Sequence, residues 1–263
     1  VVSLHMPNGW EFPVMVFAAM RAGAIPNPIP IIYREFELSF MLRHAGSKLL
    51  MTPVEFRGFG HAALAKKLKQ EISTLQHVVT TDGRVDGLLA FEDFIADAGD
   101  RSDDDSGAAL ASGRPAADDP VVMLFTRGRT GTPKAAIHTH NTIWSAGRGI
   151  SDALRMSSDD VCFMASTMGH LTGFYWGMLL PLSLGQKVVY QDAWDPRGML
   201  QLIEKEGITW TLSATPFALD LVEAQKEMQL QVNTLRAFVC GGAAIPPHVA
   251  ILVHEYLGVE LIS

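Results

Sequence analysis

Residues 125–141 read FTRGRTGTPKAAIHTHN and follow the apolar run VVML. Two glycines, Gly128 and Gly131, and a proline, Pro133, break the chain within a few residues, and three cations, Arg127, Arg129 and Lys134, stand among them. Glycines let backbone N–H groups approach an anion closely, and hydroxyls with a lysine complete a phosphate shell. The strict nucleotide-binding loop needs Gly directly before the Lys and Ser or Thr directly after it. Here Lys134 lies between Pro133 and Ala135, so a simple P-loop NTPase is disfavoured. On residue types alone two readings stay open: a loop that cradles phosphate, or a tight turn with incidental cations.

Such a loop needs a scaffold, and the rest of the chain spells one. Strand-like and helix-like segments alternate. VVSLHM leads to the helical EFPVMVFAAMRAG, EFELSFMLRHAG to KLLMT, and HAALAKKLKQEI to HVVTT. After the loop, NTIWSAGRGISDALRM reads as one helix, so that strand, loop, Lys and helix follow in order. VCFMAS, KVVYQ, PRGMLQLIEKEG, ITWTLSA, PFALDLVEAQKEM, LRAFVC, PPHVAILVHEYLG and VELIS continue the alternation. Continuous apolar strands separated by helices predict an α/β fold of two α/β subdomains, with largely parallel sheets covered by helices. RMSSDD suggests a boundary, giving subdomains at 1–155 and 156–263. The acidic, Gly/Ala/Ser-rich stretch 97–120 reads as a solvated loop.

The chain has 263 residues, 48% hydrophobic and 19% charged, enough to bury a substantial core. A net charge of -7 and no basic face argue against nucleic acid as a partner. No apolar run is long enough to span a membrane. Cys162 and Cys240 sit in apolar runs and read as buried free thiols of a reducing, cytoplasmic setting. The opening VVSLHMP reads as a strand rather than a signal peptide.

The loop resembles the phosphate loop of the adenylate-forming superfamily, which includes acyl-CoA synthetases, luciferases and peptide-synthetase adenylation domains. Thr126, Gly128, Thr130, Gly131, Pro133 and Lys134 match that family's pattern, as does the following HTHN. Three further segments match in the family's order. LHMPNGWEFPVMVFAAMRAGAIPNPI is similar to a segment near the start of the large domain. STMGHLTGF resembles the one bordering the acyl pocket, and FVCGGAAIPP resembles the turn lying against adenine. The resemblance implies ATP, Mg²⁺ and coenzyme A as co-substrates and cofactors, and a small carboxylic acid as substrate. It implies phosphate contacts from Thr126, Gly128, Thr130, Gly131 and Lys134. It implies adenine contacts from Gly241, Gly242 and Ala243, and an acyl pocket at His170, Gly173 and Phe174. GHLTGFYWGMLLPL, QDAWDP and SATPFALDL look most like ligases for medium-chain or alicyclic acids, such as cyclohexanecarboxylate-CoA ligases, and so like fatty acid metabolism. The family's Tyr-Gly-x-Thr-Glu motif and its late catalytic Lys are not found within VELIS or before it. The expected catalytic Glu and Lys therefore lie outside this chain, which reads as a portion of the large N-terminal domain, inactive by itself.

The match departs at Arg127, Arg129 and Ala135, where the family has Ser, Thr or Ser, and Gly. Arginine pairs bidentately with phosphate, but it is long and planar where the family has short neutral donors. Three readings compete: triphosphate bound in another pose, catalysis lost, or side chains turned to solvent. Impaired or altered ATP handling is favoured. A rival of another class is a non-catalytic nucleotide- or acyl-binding module that keeps the fold. His138 and His140 alternate and would share a face of a strand, but two imidazoles fall short of a metal site's three or four ligands. No metal site is expected of this chain. Phe174, Tyr175 and Trp176 suit either an acyl pocket or the core.

Overall fold

The computed structural model describes residues 1–96, 115–126 and 133–263. The chain forms two compact units, Val1–Ser145 and Ala146–Ser263.

The first unit is built on β1 (Val2–Leu4), β2 (Pro26–Pro28), β3 (Leu49–Pro53), β4 (His77–Thr81) and β5 (Leu89–Ala90), all parallel, in the order β2-β1-β3-β4-β5. Parallel neighbours need crossovers. These are α1 (Glu11–Arg21), α2 (Glu35–Ala45) and α3 (His61–Glu71). Helix α2 ends where Gly46 takes φ +60°, a left-handed conformation natural to glycine. Leu38, Met41 and Leu42 of α2 pack with Leu64, Ala65 and Leu68 of α3 over Leu50 and Val78. A short α4 (Phe91–Ala96) follows β5.

The second unit holds β8 (Val161–Met164), β9 (Lys187–Tyr190), β10 (Trp210–Ser213), β11 (Ala237–Cys240) and β12 (Leu261–Ile262). They are again all parallel, in the order β12-β11-β10-β8-β9. Read from the other edge this is the same arrangement as in the first unit: the first strand lies inside, the second on one flank, the rest on the other. Both faces are buried, and successive residues serve opposite faces. Phe163, Phe238 and Cys240 join one core with α8 (Pro196–Glu206), α9 (Thr215–Met228) and α10 (Pro247–Leu257). Cys162, Met164, Ala237 and Val239 join the other, with Trp210 and Leu212. Both cysteines are buried and free. No helix among the described residues is long and apolar enough to cross a membrane.

Two local expectations are corrected. A strand stands between the loop and the helix expected to follow Lys134: β7 (Lys134–Thr139) pairs antiparallel with β6 (Pro120–Thr126). The helix starts only at His140, so His138 and His140 do not share a strand face. The physical reason lies in KAAIHT, whose Ile137 and Thr139 suit an extended ribbon, while Thr139 starts the helix. Its hydroxyl accepts from the Thr142 N–H at 3.2 Å, and the Thr142 hydroxyl accepts from the Thr139 N–H at 2.9 Å. The single helix expected over 141–156 is two, α5 (His140–Ser145) and α6 (Arg148–Ala153). At Gly147, between them, any Cβ would overlap the Tyr175 hydroxyl. Of the acidic stretch 97–120, residues 97–114 lie outside the described residues.

The amino-terminal edge of the second sheet is held by one polar clamp. Asp160, just before β8, accepts from Arg236, just before β11, at 2.8 and 2.7 Å. It also accepts from the Thr209 hydroxyl at 2.8 Å and the Ser157 N–H at 2.9 Å. Burial works to raise the Asp160 pKa, but the Arg236 and backbone hydrogen bonds outweigh it and hold the carboxyl below its ordinary 3.8. Its folded-state value is depressed, so its stabilisation is present above pH 3.8 and is lost as pH falls through the folded value. Asp160→Ala strips the partner from a half-buried guanidinium and should cost about 2–3 kcal/mol in urea denaturation at pH 7. The loss should shrink as pH falls below 3.8.

Candidate functional site

In parallel sheets the loops that can hold a ligand gather at the carboxyl ends of the strands, beside the point where strand order reverses. In the second unit that point lies between β8 and β10. Residues 165–171 leave the end of β8, and Gly241 leaves the end of β11. His170 and the Gly241–Ala243 turn, 71 positions apart between His170 and Gly241 (241 minus 170), thus share one edge of one sheet.

The turn after β11 is shaped to offer backbone. The Gly241 N–H donates to the Ser213 carbonyl at 3.1 Å, continuing the ladder one step beyond the strands. Gly242 adopts φ +79°, and a Cβ at either glycine would meet only open space. Gly242 and Ala243 are exposed. The Thr215 hydroxyl, at the start of α9, donates to the Ala244 carbonyl at 2.8 Å and fixes the far side of the turn. The result is a rigid loop with little side-chain bulk, able to lie flat against a planar group.

The β8 loop is compact. The His170 N–H donates to the Thr167 carbonyl at 3.0 Å, and the Gly169 N–H to the Thr167 hydroxyl at 3.2 Å. The Thr172 N–H donates to Nδ1 of His170 at 3.3 Å. That bond engages Nδ1 as an acceptor. His170 is exposed, whereas Phe174 and Tyr175 are buried at 0% and 1% exposure. In this structure the two aromatics are core, and Trp176 packs beside Cys162 and Met164.

A feature with no signal in the composition follows. Thr172–Leu179 winds as a π-helix, running into the short α7 (Leu180–Ser183). π-Helical turns cluster at functional sites. Two glycines permit this one. A Cβ at Gly173 would overlap the carbonyl oxygens of Thr167 and Ser166, and one at Gly177 would overlap the Met164 side chain. The wide helix is thereby pressed onto the end of β8. Nearby Cys162 is no nucleophile: burial raises its thiol well above its ordinary range, so it stays protonated. Burial also raises the Tyr190 phenol, with Cys162 as a lesser cause.

In the first unit Thr126 and Lys134 face each other across the β6–β7 pair. The Thr126 hydroxyl donates to the Lys134 carbonyl at 3.3 Å, and both residues are exposed. They bracket the loop, whose Arg127, Gly128, Arg129, Thr130 and Gly131 lie outside the described residues. Its base is anchored: Phe125 meets Phe40 and His44 of α2 edge-on, at ring distances of 6.4 and 5.9 Å. Among the described residues no group of three or more His, Cys, Asp or Glu gathers to hold a metal.

A family profile described as AMP-binding enzyme matches residues 1–263. The chain belongs to the AMP-binding enzyme family. It is 30% identical over 264 residues to a medium-chain fatty-acid–CoA ligase of Escherichia coli strain K12, covering 100% of this chain and 45% of that protein. It is 27% identical over 257 residues to a salicyl-AMP ligase / salicyl-S-ArCP synthetase of Mycobacterium tuberculosis, covering 97% of this chain and 44% of that protein. The chain thus spans about half the length of the curated relatives it matches. A red-emitting luciferase from Phrixothrix hirtus superposes with a TM-score of 0.83 at 19% identity, over 99% of this chain and 49% of that one. At that identity the likeness speaks for the fold.

The two glycine positions separate fold from ligand. Gly173→Ala drives a methyl into main-chain oxygens and should cost roughly 1–3 kcal/mol in thermal or urea denaturation. Gly241→Ala enters open space and should leave stability within about 0.5 kcal/mol. Loss of stability in Gly241→Ala equal to that in Gly173→Ala would contradict the open-turn geometry.

Proposed function

We propose that this chain is part of an ATP-dependent ligase that activates a carboxylic acid, medium-chain or alicyclic, as its acyl-adenylate and passes the acyl group to coenzyme A. One observation carries the reading: in a chain of the AMP-binding family, His170 and the Gly241–Ala243 turn come to one carboxyl edge of one sheet. The 30% identity to a medium-chain fatty-acid–CoA ligase supports the acid class.

The chemistry accounts for the residue types. A carboxylate oxygen attacks the α-phosphorus of ATP, the bond to the β-phosphate oxygen breaks, and pyrophosphate leaves with both electrons of that bond. The mixed anhydride is then opened by a thiolate, releasing AMP. The first step brings two anions together, so its barrier depends on fixed donors and cations that hold them in line. In our reading Lys134, Thr126, Gly128, Thr130 and Gly131 hold the β- and γ-phosphates. Gly241, Gly242 and Ala243 lie along adenine. His170 and Gly173 border the acyl side, and Phe174 backs them from within the core. Mg²⁺, travelling with the triphosphate, would offset its charge; the described residues offer it no carboxylate cluster.

Calorimetry of the chain with non-hydrolysable acyl sulfamoyl-adenosines tests the reading. Octanoyl and cyclohexanecarbonyl analogues should bind at least about tenfold tighter than the salicyl analogue, which corresponds to about 1.4 kcal/mol. Gly241→Ala should weaken all three without loss of stability. Preference for the salicyl analogue would move the substrate to aryl acids, and no binding of any would favour a fold kept without the activity.

The arginines give a second test. Tight ground-state binding of triphosphate does not speed attack on the α-phosphorus; only interactions stronger in the transition state do. In the longest active form of the protein, Arg127→Ser with Arg129→Thr should raise single-turnover adenylate formation at saturating ATP by roughly tenfold, about 1.4 kcal/mol. An equal or slower rate would make the arginines a working substitute for the hydroxyls.

A further inference from the structure

His5 follows β1 directly, and its N–H donates to the Met51 carbonyl at 2.9 Å, carrying the β1–β3 ladder past the strand. His61 is the first residue of α3, the crossover from β3 to β4. The rings meet edge-on at 5.1 Å between centroids. Both are buried, at 0% and 2% exposure. None of their four ring nitrogens makes a hydrogen bond of acceptable geometry. The Tyr33 and Pro30 carbonyls lie near His5 and favour its protonated form, but weakly, and without that geometry.

Among the described residues, the charges that act on the pair oppose protonation. Arg34, the residue before α2, opposes charge on both rings. Its guanidinium lies over Phe59 at 4.0 Å, and Phe59 meets the His61 ring edge-on at 4.8 Å. The carboxylates at the start of α2 are engaged elsewhere: Glu35 pairs with Lys67 at 2.5 Å, and Glu37 accepts from the Arg34 N–H at 3.3 Å. On α3 itself the ionisable groups beyond His61 are Lys66, Lys67, Lys69 and Glu71; Glu71 sits at the far end, near Arg43 and Lys67. The positive end of the α3 dipole also falls on His61. Burial first lowers both rings from an ordinary 6.5: His5 to about 3, with His61 and then Arg34 as lesser causes, and His61 to about 4, with Arg34 as the lesser cause.

We propose that the His5–His61 pair is an acid-sensitive latch that ties the end of β1 to the start of α3, and that mild acid opens the first unit while the second stays closed. The folded pair refuses protons that the opened chain accepts from pH 6.5 downward. Stability of the first unit is therefore full above about pH 6.5 and falls as pH drops. Well below pH 6.5 each ring lowers the closed-to-open ratio about tenfold per pH unit, so the two together lower it by roughly a thousandfold between pH 7.5 and 5. The second unit buries no such pair among its described residues, and its Asp160 clamp holds down to below pH 3.8.

Hydrogen exchange read by mass spectrometry on the whole chain, corrected for intrinsic rates, tests this at pH 7.5 and 5.0. Protection in β1, β3 and α3 should fall by two to three orders of magnitude, about the factor given above, while β8, β10 and β11 change by less than about tenfold. With His5→Gln and His61→Phe together, the first unit's pH dependence should drop below about tenfold. Should that variant not fold, histidine imidazole NMR of the unaltered chain decides. At pH 6 the His5 and His61 rings should remain neutral. Ordinary titration of all nine histidines in the folded chain, parallel loss of protection in both units, or an undiminished pH dependence in a folded double variant would each overturn the latch.

Discussion

A parallel strand can be entered only from one end, so every return segment must cross the sheet on a face, and every loop leaving a strand emerges at the same edge. This constraint orders the molecule. In the second unit it divides labour between two edges. The amino-terminal edge carries the Asp160–Arg236–Thr209 clamp, which joins the entrances of β8, β10 and β11. The carboxyl edge carries open glycine backbone and the His170 loop, each fixed by hydrogen bonds to main chain and hydroxyls. Paired charge is concentrated at one edge, and accessible backbone sits where strands release the chain.

Close approach is the second theme. The π-helix, β8 and Gly147 meet at distances that leave no room for a methyl group at Gly147, Gly173 or Gly177. Such packing leaves the loop between β8 and the helix little freedom, because its two ends are pinned by main chain rather than by adjustable side chains. His170 is held by the same arrangement, through the Thr167 carbonyl on one side and the Thr172 N–H on the other.

Much of this was legible from residue order. The alternation of apolar runs with amphipathic segments marked nearly every long strand and helix, because two-sided burial makes parallel strands continuously apolar. The motif turns were legible as well: glycine pairs such as Gly241–Gly242 mark places where backbone is exposed on purpose. Pairing was not. KAAIHT carries no sign of whether it follows its loop as helix or strand; the answer lies in β6, which it must meet across the loop. The π-helix was equally hidden, since it depends on Met164, Ser166 and Thr167 pressing against glycines several residues on. Nor could His5 and His61 be matched from their separation, for their contact is made by the pairing of β1 with β3 and the crossover from β3 to β4.

The strand orders also have a history written into them. In each unit the first of these strands in chain order lies inside, the second takes one flank, and each later one joins the free edge on the other: β3, β4, β5 in one, β10, β11, β12 in the other. No strand has to be inserted between two that are already paired. A chain emerging amino end first can thus add each ladder to a standing edge. At every stage of synthesis the unfinished sheet has its next docking edge ready, with no completed row of hydrogen bonds to reopen.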